Sequence, residues 1–414
     1  MKIRLFALAA VLLLQCSSSS PSPTSSPSLS PQVPACEGVP VSPGDDLQAL
    51  IDANPPRTTF CFAAGLYRLT STISTSDRFP VLDLRAGAII DGENGSFVGI
   101  EGQNESGEER GTVVLGGSFQ HFGNVDAPSW VSPIIVSQNG VIDGTEFKEN
   151  FNTGLSIQGN AARISHVNTH HNGRFGLVVT EACTGCPGPV GVVIEDTEIA
   201  FNNTRELPTD GLAGGTKFSG ATDGMIVRRN EVHDNYGSGL WWDGYNTNAR
   251  VYENMIYDNR NWGIFWELSY GGAKIHDNTL IDNGIGDGSS SFYNNVQLLV
   301  SASDGSDGGI EIYRNTMDGT AHPLALINHA VHPIRTRSVY VHDNLMILRS
   351  SQAKVGAVAF DGLTELFGDA ANNRFDYNTY RVPDINAAYW EWDGRILTWG
   401  QWQGLGQDVH GSAI

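Results

Sequence analysis

Apolar and polar positions alternate along this chain in short stretches, and the stretches repeat. In Val-Arg-Arg-Asn-Glu-Val, Val-Tyr-Glu-Asn-Met-Ile and Ile-His-Asp-Asn-Thr-Leu the asparagines are Asn230, Asn254 and Asn278, spaced by 24 residues. The series continues at Asn315, Asn344 and Asn378. Three residues before each stands an apolar side chain: Val227, Val251, Ile275, Ile312, Val341 and Phe375. Two residues after each stands another: Val232, Ile256, Leu280, Met317, Met346 and Tyr380. A second comb runs through Asn150, Asn172, Asn202, Asn235, Asn259 and Asn283. Four of its teeth are followed by a glycine and an aliphatic residue: Gly154-Leu155, Gly176-Leu177, Gly239-Leu240 and Gly263-Ile264. Asn202 lacks the pair because a segment from about Thr204 to Leu212 intervenes.

Short stretches of period two separated by turns, repeating at just over 20 residues, predict the coils of a parallel β-solenoid. Strands of successive coils then stack ~4.8 Å apart, and each apolar column becomes a ladder inside the tube. The asparagines fall at the bends, where Asn tolerates a left-handed backbone and can bond to its copies above and below. Their default role is structural.

On these repeats the chain resembles the right-handed parallel β-helix, or pectin-lyase-like, superfamily, over most of residues 35–414. The resemblance implies an all-β, single-stranded solenoid spanning 68–380. Pro43 to Gln48 opens a short amphipathic helix to about Asn54, followed by a strand at Thr59-Phe60-Cys61-Phe62. This is similar to the N-terminal cap of such solenoids (35–67), which covers an otherwise exposed sheet end. The tryptophan-rich run Tyr389-Trp390-Glu391-Trp392, with Trp399 and Trp402, resembles their closing segment (381–414). There Trp is expected to pack rather than to bind sugar.

The first residues carry an address. Lys2 and Arg4 precede an apolar run, Leu5 to Leu14, too short to span a bilayer. Leu-Leu-Gln-Cys at its end resembles a bacterial lipoprotein signal (1–15) with Cys16 lipidated; an ordinary secretory signal is the alternative. Ser, Pro and Thr then dominate up to Gln32, which reads as a tether (16–34). The expected location is the cell envelope, as an outer-membrane lipoprotein, or outside the cell. Four further cysteines remain for two disulfides, paired here as Cys36–Cys61 and Cys183–Cys186. Half a zinc site or a redox pair at Cys183-Thr-Gly-Cys186 is the alternative.

Composition narrows the partners. With 45 acidic against 25 basic residues the charge is −20, or −22 once Lys2 and Arg4 are removed with residues 1–15. Such a surface does not suit nucleic acid. It also repels a polyuronate unless Ca²⁺ or a basic patch intervenes. The 48 glycines exclude a long helical bundle.

Period two assigns faces. In Gly239-Leu240-Trp241-Trp242-Asp243, Leu240 and Trp242 point inward, and Trp241 and Asp243 outward. One coil on, Ile264 and Trp266 point inward, and Phe265 and Glu267 outward. Asp243 and Glu267 thus stack about one rung apart. Like charges so close repel, which separates an acid from a base, the pattern of a glycosidase. Aligning Gly215 with Gly239 sets Lys217 outward beside Trp241. Asp243, Glu267 and Lys217 are therefore the candidate catalytic residues. Trp241 and Phe265 are the candidate sugar platform. Tyr270, His233, Asp210 and Glu206 are further substrate-binding candidates. Adjacent residues on a strand face opposite ways, so His170-His171 is not expected to hold a metal. The phrases around Lys217, Asp243 and Glu267 are similar to those of secreted bacterial β-helix proteins, which implies an extracellular polysaccharide as substrate. Glycoside hydrolysis without a cofactor, by a monomer, is the leading reading. The alternatives are a uronate lyase or epimerase, with Ca²⁺ a candidate cofactor, and a non-catalytic glycan-binding or adhesin-like protein. Membrane contact is expected only through the lipid anchor.

Overall fold

The structure is a computed structural model that describes residues 35–102, 111–209, 213–284 and 295–414. Residues 36–414 form one compact unit. Cys16, the signal and tether segments and Asp210 lie outside the described residues.

Each coil visits three sheets in turn. One coil runs through Arg250–Tyr252, Met255–Tyr257 and Ile264–Glu267, and Ala273–His276 then begins the next. Strands pair in parallel with their counterparts one coil on, as in Val251 with Ile275, Ile256 with Leu280 and Trp242 with Trp266, and only the closing hairpin of Trp390–Trp392 with Arg395–Leu397 among the described residues is antiparallel. Among the described residues thirteen strands stack in each sheet. The two apolar columns around the first asparagine comb face into the tube and are closed to water. Burial of these stacked aliphatic ladders drives the coils together, because no coil can hide its own inner face alone.

The bends are held by side-chain amides. At the turn from first to second sheet, Asn230, Asn254, Asn278, Asn315 and Asn344 each donate from Nδ2 to Oδ1 of the next asparagine at 2.9–3.0 Å. At the turn from second to third sheet, Asn150 to Asn283 form a matching ladder at 2.8–3.0 Å. Both combs are therefore structural, as expected. The left-handed backbone sits elsewhere than expected. It falls on the residue before each asparagine, such as Arg229, Glu253, Asp277, Asp234 and Asp258, with φ between 51° and 57°. The asparagine itself turns its amide into the stack. A third ladder, at the turn from third to first sheet, uses mixed residues. The Thr222 hydroxyl donates to Asn246 Oδ1 at 2.6 Å, and Asn246 Nδ2 to Ser269 Oγ at 3.1 Å.

Both ends are closed. Helix Leu47–Ala53 buries Leu47 and Ile51, and the Asp46 carboxylate caps it by accepting from the Ala49 N–H at 3.0 Å. At the far end Asp408 terminates the first ladder. Its Oδ1 accepts from Asn378 Nδ2 at 2.9 Å, and its Oδ2 from the Tyr380 hydroxyl at 2.7 Å and Trp402 Nε1 at 2.9 Å. Trp390 and Trp402 are fully buried in this cap. Cys36–Cys61 and Cys183–Cys186 are both bonded.

Glu391, between Trp390 and Trp392, is 8% exposed. Burial pushes its carboxyl from the ordinary 4.5 up to about 7, with Lys354 pulling it partly back. The native state thus holds a proton that the unfolded chain releases. The resulting stability is complete below pH 4.5 and is lost as pH rises through 7. Glu391→Gln is expected to stabilise the protein by about 3 kcal/mol at pH 8 and by little at pH 4.5. Denaturant midpoints at the two pH values check this; an equal effect at both contradicts it.

Candidate active site

The outer face of the third sheet carries the cluster. Strands Gly214–Ser219, Leu240–Asp243 and Ile264–Glu267 are consecutive there. The register sets Phe218 beside Trp242 and Ser219 beside Asp243, and then Asp243 beside Glu267. Leu240, Trp242, Ile264 and Trp266 are in the core, so Lys217, Asp243 and Glu267 leave the sheet on its outer side. Lys217 Nζ lies 2.7 Å from Asp243 Oδ2 and 4.1 Å from the centre of the Trp241 ring. The cation therefore has both a counter-ion and an aromatic face.

The two carboxylates differ in access. The Asp243 side chain is 23% exposed and that of Glu267 only 7%. Glu267 Oε2 accepts from the Trp241 indole N–H at 3.2 Å. Its Oε1 lies 3.4 Å from Nε2 of His332. His332 comes from the loop after strand His322–Ile327, two strands beyond Glu267 on the same sheet. Beside it His329 faces it at 5.2 Å between ring centres and sets Nδ1 3.2 Å from the Asp361 carboxylate. Repulsion between the stacked carboxylates is answered by these separate partners. A glycosidic or carboxylated sugar at this face would meet a carboxylate–lysine pair and a carboxylate–imidazole pair, which is equipment for proton transfer. Among the described residues no group of three His, Cys, Asp or Glu is disposed to hold a metal ion.

Other candidates fall elsewhere. His233 lies on the second sheet, stacked on Tyr257 at 4.6 Å and 2.8 Å from Asp234 Oδ2. Its strand belongs to another side of the tube, and it does not join the cluster. Glu206 is exposed on the loop before Gly214, and among the described residues its side chain contacts none of the three. The neighbouring Arg205 stacks on Phe151 at 4.0 Å instead. Tyr270 is exposed beyond Glu267 and stacks on exposed Tyr245 at 6.0 Å. This pair supplies the open aromatic surface. Tyr245 escapes the repeat because it lies 25 residues before Tyr270, one off the 24-residue register. His332 and His329 carry no sequence signal, since a non-repeating loop brings them in.

Comparison with known proteins fits this architecture. The profile described as "Right handed beta helix region" matches residues 133–317. No curated protein sequence matches the chain. Among solved structures, the A-module of the Azotobacter vinelandii mannuronan C-5 epimerase AlgE4 is 17% identical, with a TM-score of 0.56 over 80% of this chain and 88% of that one. The AlgE6 A-module from the same organism is 15% identical, with a TM-score of 0.57 over 89% and 92%. The PL6-family alginate lyase AlyGC is 11% identical, with a TM-score of 0.50 over 85% of this chain and 53% of that one. The chain thus has a right-handed parallel β-helix fold.

The expected sugar platform is overturned. Trp241 and Phe265 do point away from the tube, yet they are 3% and 0% exposed. With Trp262, Leu299, Ile327 and Val358 they form a second hydrophobic core on the outside of the sheet. Outward orientation on a strand does not mean exposure when a loop packs above it. Trp241→Ala is expected to cost about 3–5 kcal/mol of folding stability, as in a core. A loss under about 0.5 kcal/mol in denaturant unfolding would restore Trp241 to the surface.

Proposed function

We propose that this chain is a polysaccharide-active enzyme working at Lys217, Asp243, Glu267 and His332. One observation carries the reading: two carboxylates stand in register on adjacent strands, Asp243 against Lys217 at 2.7 Å and Glu267 sheltered between Trp241 and His332. Two carboxyl groups in unlike surroundings divide acid and base work. Glycoside hydrolysis is the leading reaction, with Glu267 giving the proton to the leaving oxygen and Asp243 serving as base or nucleophile. The exposed Tyr245–Tyr270 pair then takes over the sugar-stacking role first assigned to Trp241 and Phe265.

A uronate lyase or epimerase is the second reading. The likeness in fold to mannuronan epimerase modules and to an alginate lyase favours it. Here His332 would take the proton next to the carboxylate, and Lys217 or Ca²⁺ would neutralise that carboxylate. A glycan-binding protein without turnover is the third. Two disulfides fit an oxidising compartment, so we place the protein outside the cytoplasm, as a monomer held by lipid at Cys16.

Incubation with a panel of neutral and uronate polysaccharides separates the readings. New reducing ends without ultraviolet absorbance mark hydrolysis. Absorbance of a new double bond marks elimination, and solvent deuterium at C5 marks epimerisation. Asp243→Asn and Glu267→Gln are each expected to lower kcat at least 100-fold. Activity that survives both substitutions sinks the proposal, as does binding of a polymer without any turnover.

A further inference from the structure

A cleft of about 590 Å³ opens on the N-terminal side of this cluster, along the edge where the third sheet turns toward the first. Its floor is the ends of strands Ile134–Val136 and Leu155–Ile157 with the residues that follow them. Its wall is the loop after Phe175–Val179, cross-linked by Cys183–Cys186. That loop is pinned back to the floor: the Val190 N–H donates to Asn160 Oδ1 at 2.8 Å, and the Ala161 N–H to the Val190 carbonyl at 2.7 Å.

The chemistry of the lining is unusual for this molecule. The chain carries a charge of −20, yet among the described residues no acidic or basic side chain lines the cleft. The polar groups are neutral: the Ser137 hydroxyl and the amides of Gln138, Gln158 and Asn160. Ile135 and Val190 add apolar surface. Ser137 is 9% exposed, and among the described residues neither its hydroxyl nor the Gln158 amide bonds to protein. Gln158 is half-buried, so this hydroxyl and this amide present donors and acceptors to a polar ligand entering the cleft. The volume lies within the ~300–1,000 Å³ typical of small-molecule sites.

We propose that this cleft binds an uncharged pyranose segment of the polysaccharide, a distal subsite for the Lys217–Asp243–Glu267 centre. The claim rests on the polysaccharide reading above and narrows it to a neutral polymer. Amides and hydroxyls pair with sugar hydroxyls as both donors and acceptors. Ile135 and Val190 face the sugar's C–H surface. A uronate would bring a carboxylate into a cleft where the described lining offers it no cation, inside an acidic protein. Strand Leu155–Ile157 lies three strands before Leu240–Asp243 on the same sheet. Three rungs are about 14 Å, so one glycan lying along the solenoid reaches both. The exposed Tyr245–Tyr270 pair continues the same edge.

Calorimetry with neutral hexasaccharides derived from glucan, xylan and mannan, and with hexamannuronate, tests this on the full chain. A neutral hexamer is expected to bind the wild type. Gln158→Ala and Ser137→Ala should each weaken it about fivefold to tenfold, with the melting temperature unchanged. Polymer turnover with no effect of either cleft variant overturns the subsite and leaves the active centre standing. Binding of hexamannuronate that depends on Gln158 overturns the neutral assignment. Neither binding nor turnover of any glycan overturns both proposals.

Discussion

Along both asparagine combs the side-chain amide of one coil bonds to the asparagine of the next, and that contact fixes the register on which the rest of the molecule depends. Apolar burial presses the coils together but does not choose their alignment, because Val, Ile and Leu slide over one another at little cost. The hydrogen bond is directional. Asn254 Nδ2 meets Asn278 Oδ1 at 2.9 Å and its other hydrogen meets the Val227 carbonyl at 3.0 Å, so a slip by one residue leaves both unpaired inside the protein. Ladders of this kind run along all three bends.

Register is what makes a site possible on a solenoid. Lys217, Asp243 and Glu267 come from three consecutive coils and share no local turn or helix. They meet because Trp242 stands beside Trp266 inside the tube, so that Asp243 stands beside Glu267 outside it. The inner column is rigid and dry, and the outer column inherits its spacing. Loops then set access. The second core around Trp241 and Phe265 shelters Glu267, while Asp243 keeps a path to solvent. Function is thereby written in two layers, a repeating one that aligns groups and a non-repeating one that covers or exposes them.

The repeating layer was legible in the sequence. The columns flanking Asn230 to Asn378, the outward turn of Asp243 and Glu267, the place of Lys217 beside Trp241 and both disulfides follow from period, alignment and cysteine count. The non-repeating layer was not. The burial of Trp241 and Phe265 depends on what packs above them. The approach of His332 to Glu267 depends on a loop from a later coil. His233 was among the substrate-binding candidates, yet its strand Glu231–His233 lies on a different side of the tube. The left-handed residue before each asparagine was misplaced by one, because Asn has both the backbone tolerance and the side chain and the sequence does not say which is used.

The account stands most directly on Asn254, in the middle of the first ladder. Asn254→Ala removes the acceptor of both the Asn230 N–H and the Asn230 amide. Amide hydrogen exchange combined with denaturant unfolding reads the consequence. A loss of about 3 kcal/mol, with faster exchange in the coils of Asn230 and Asn278, is the expected result. A loss under about 0.5 kcal/mol with unchanged exchange would show that apolar stacking alone holds the register.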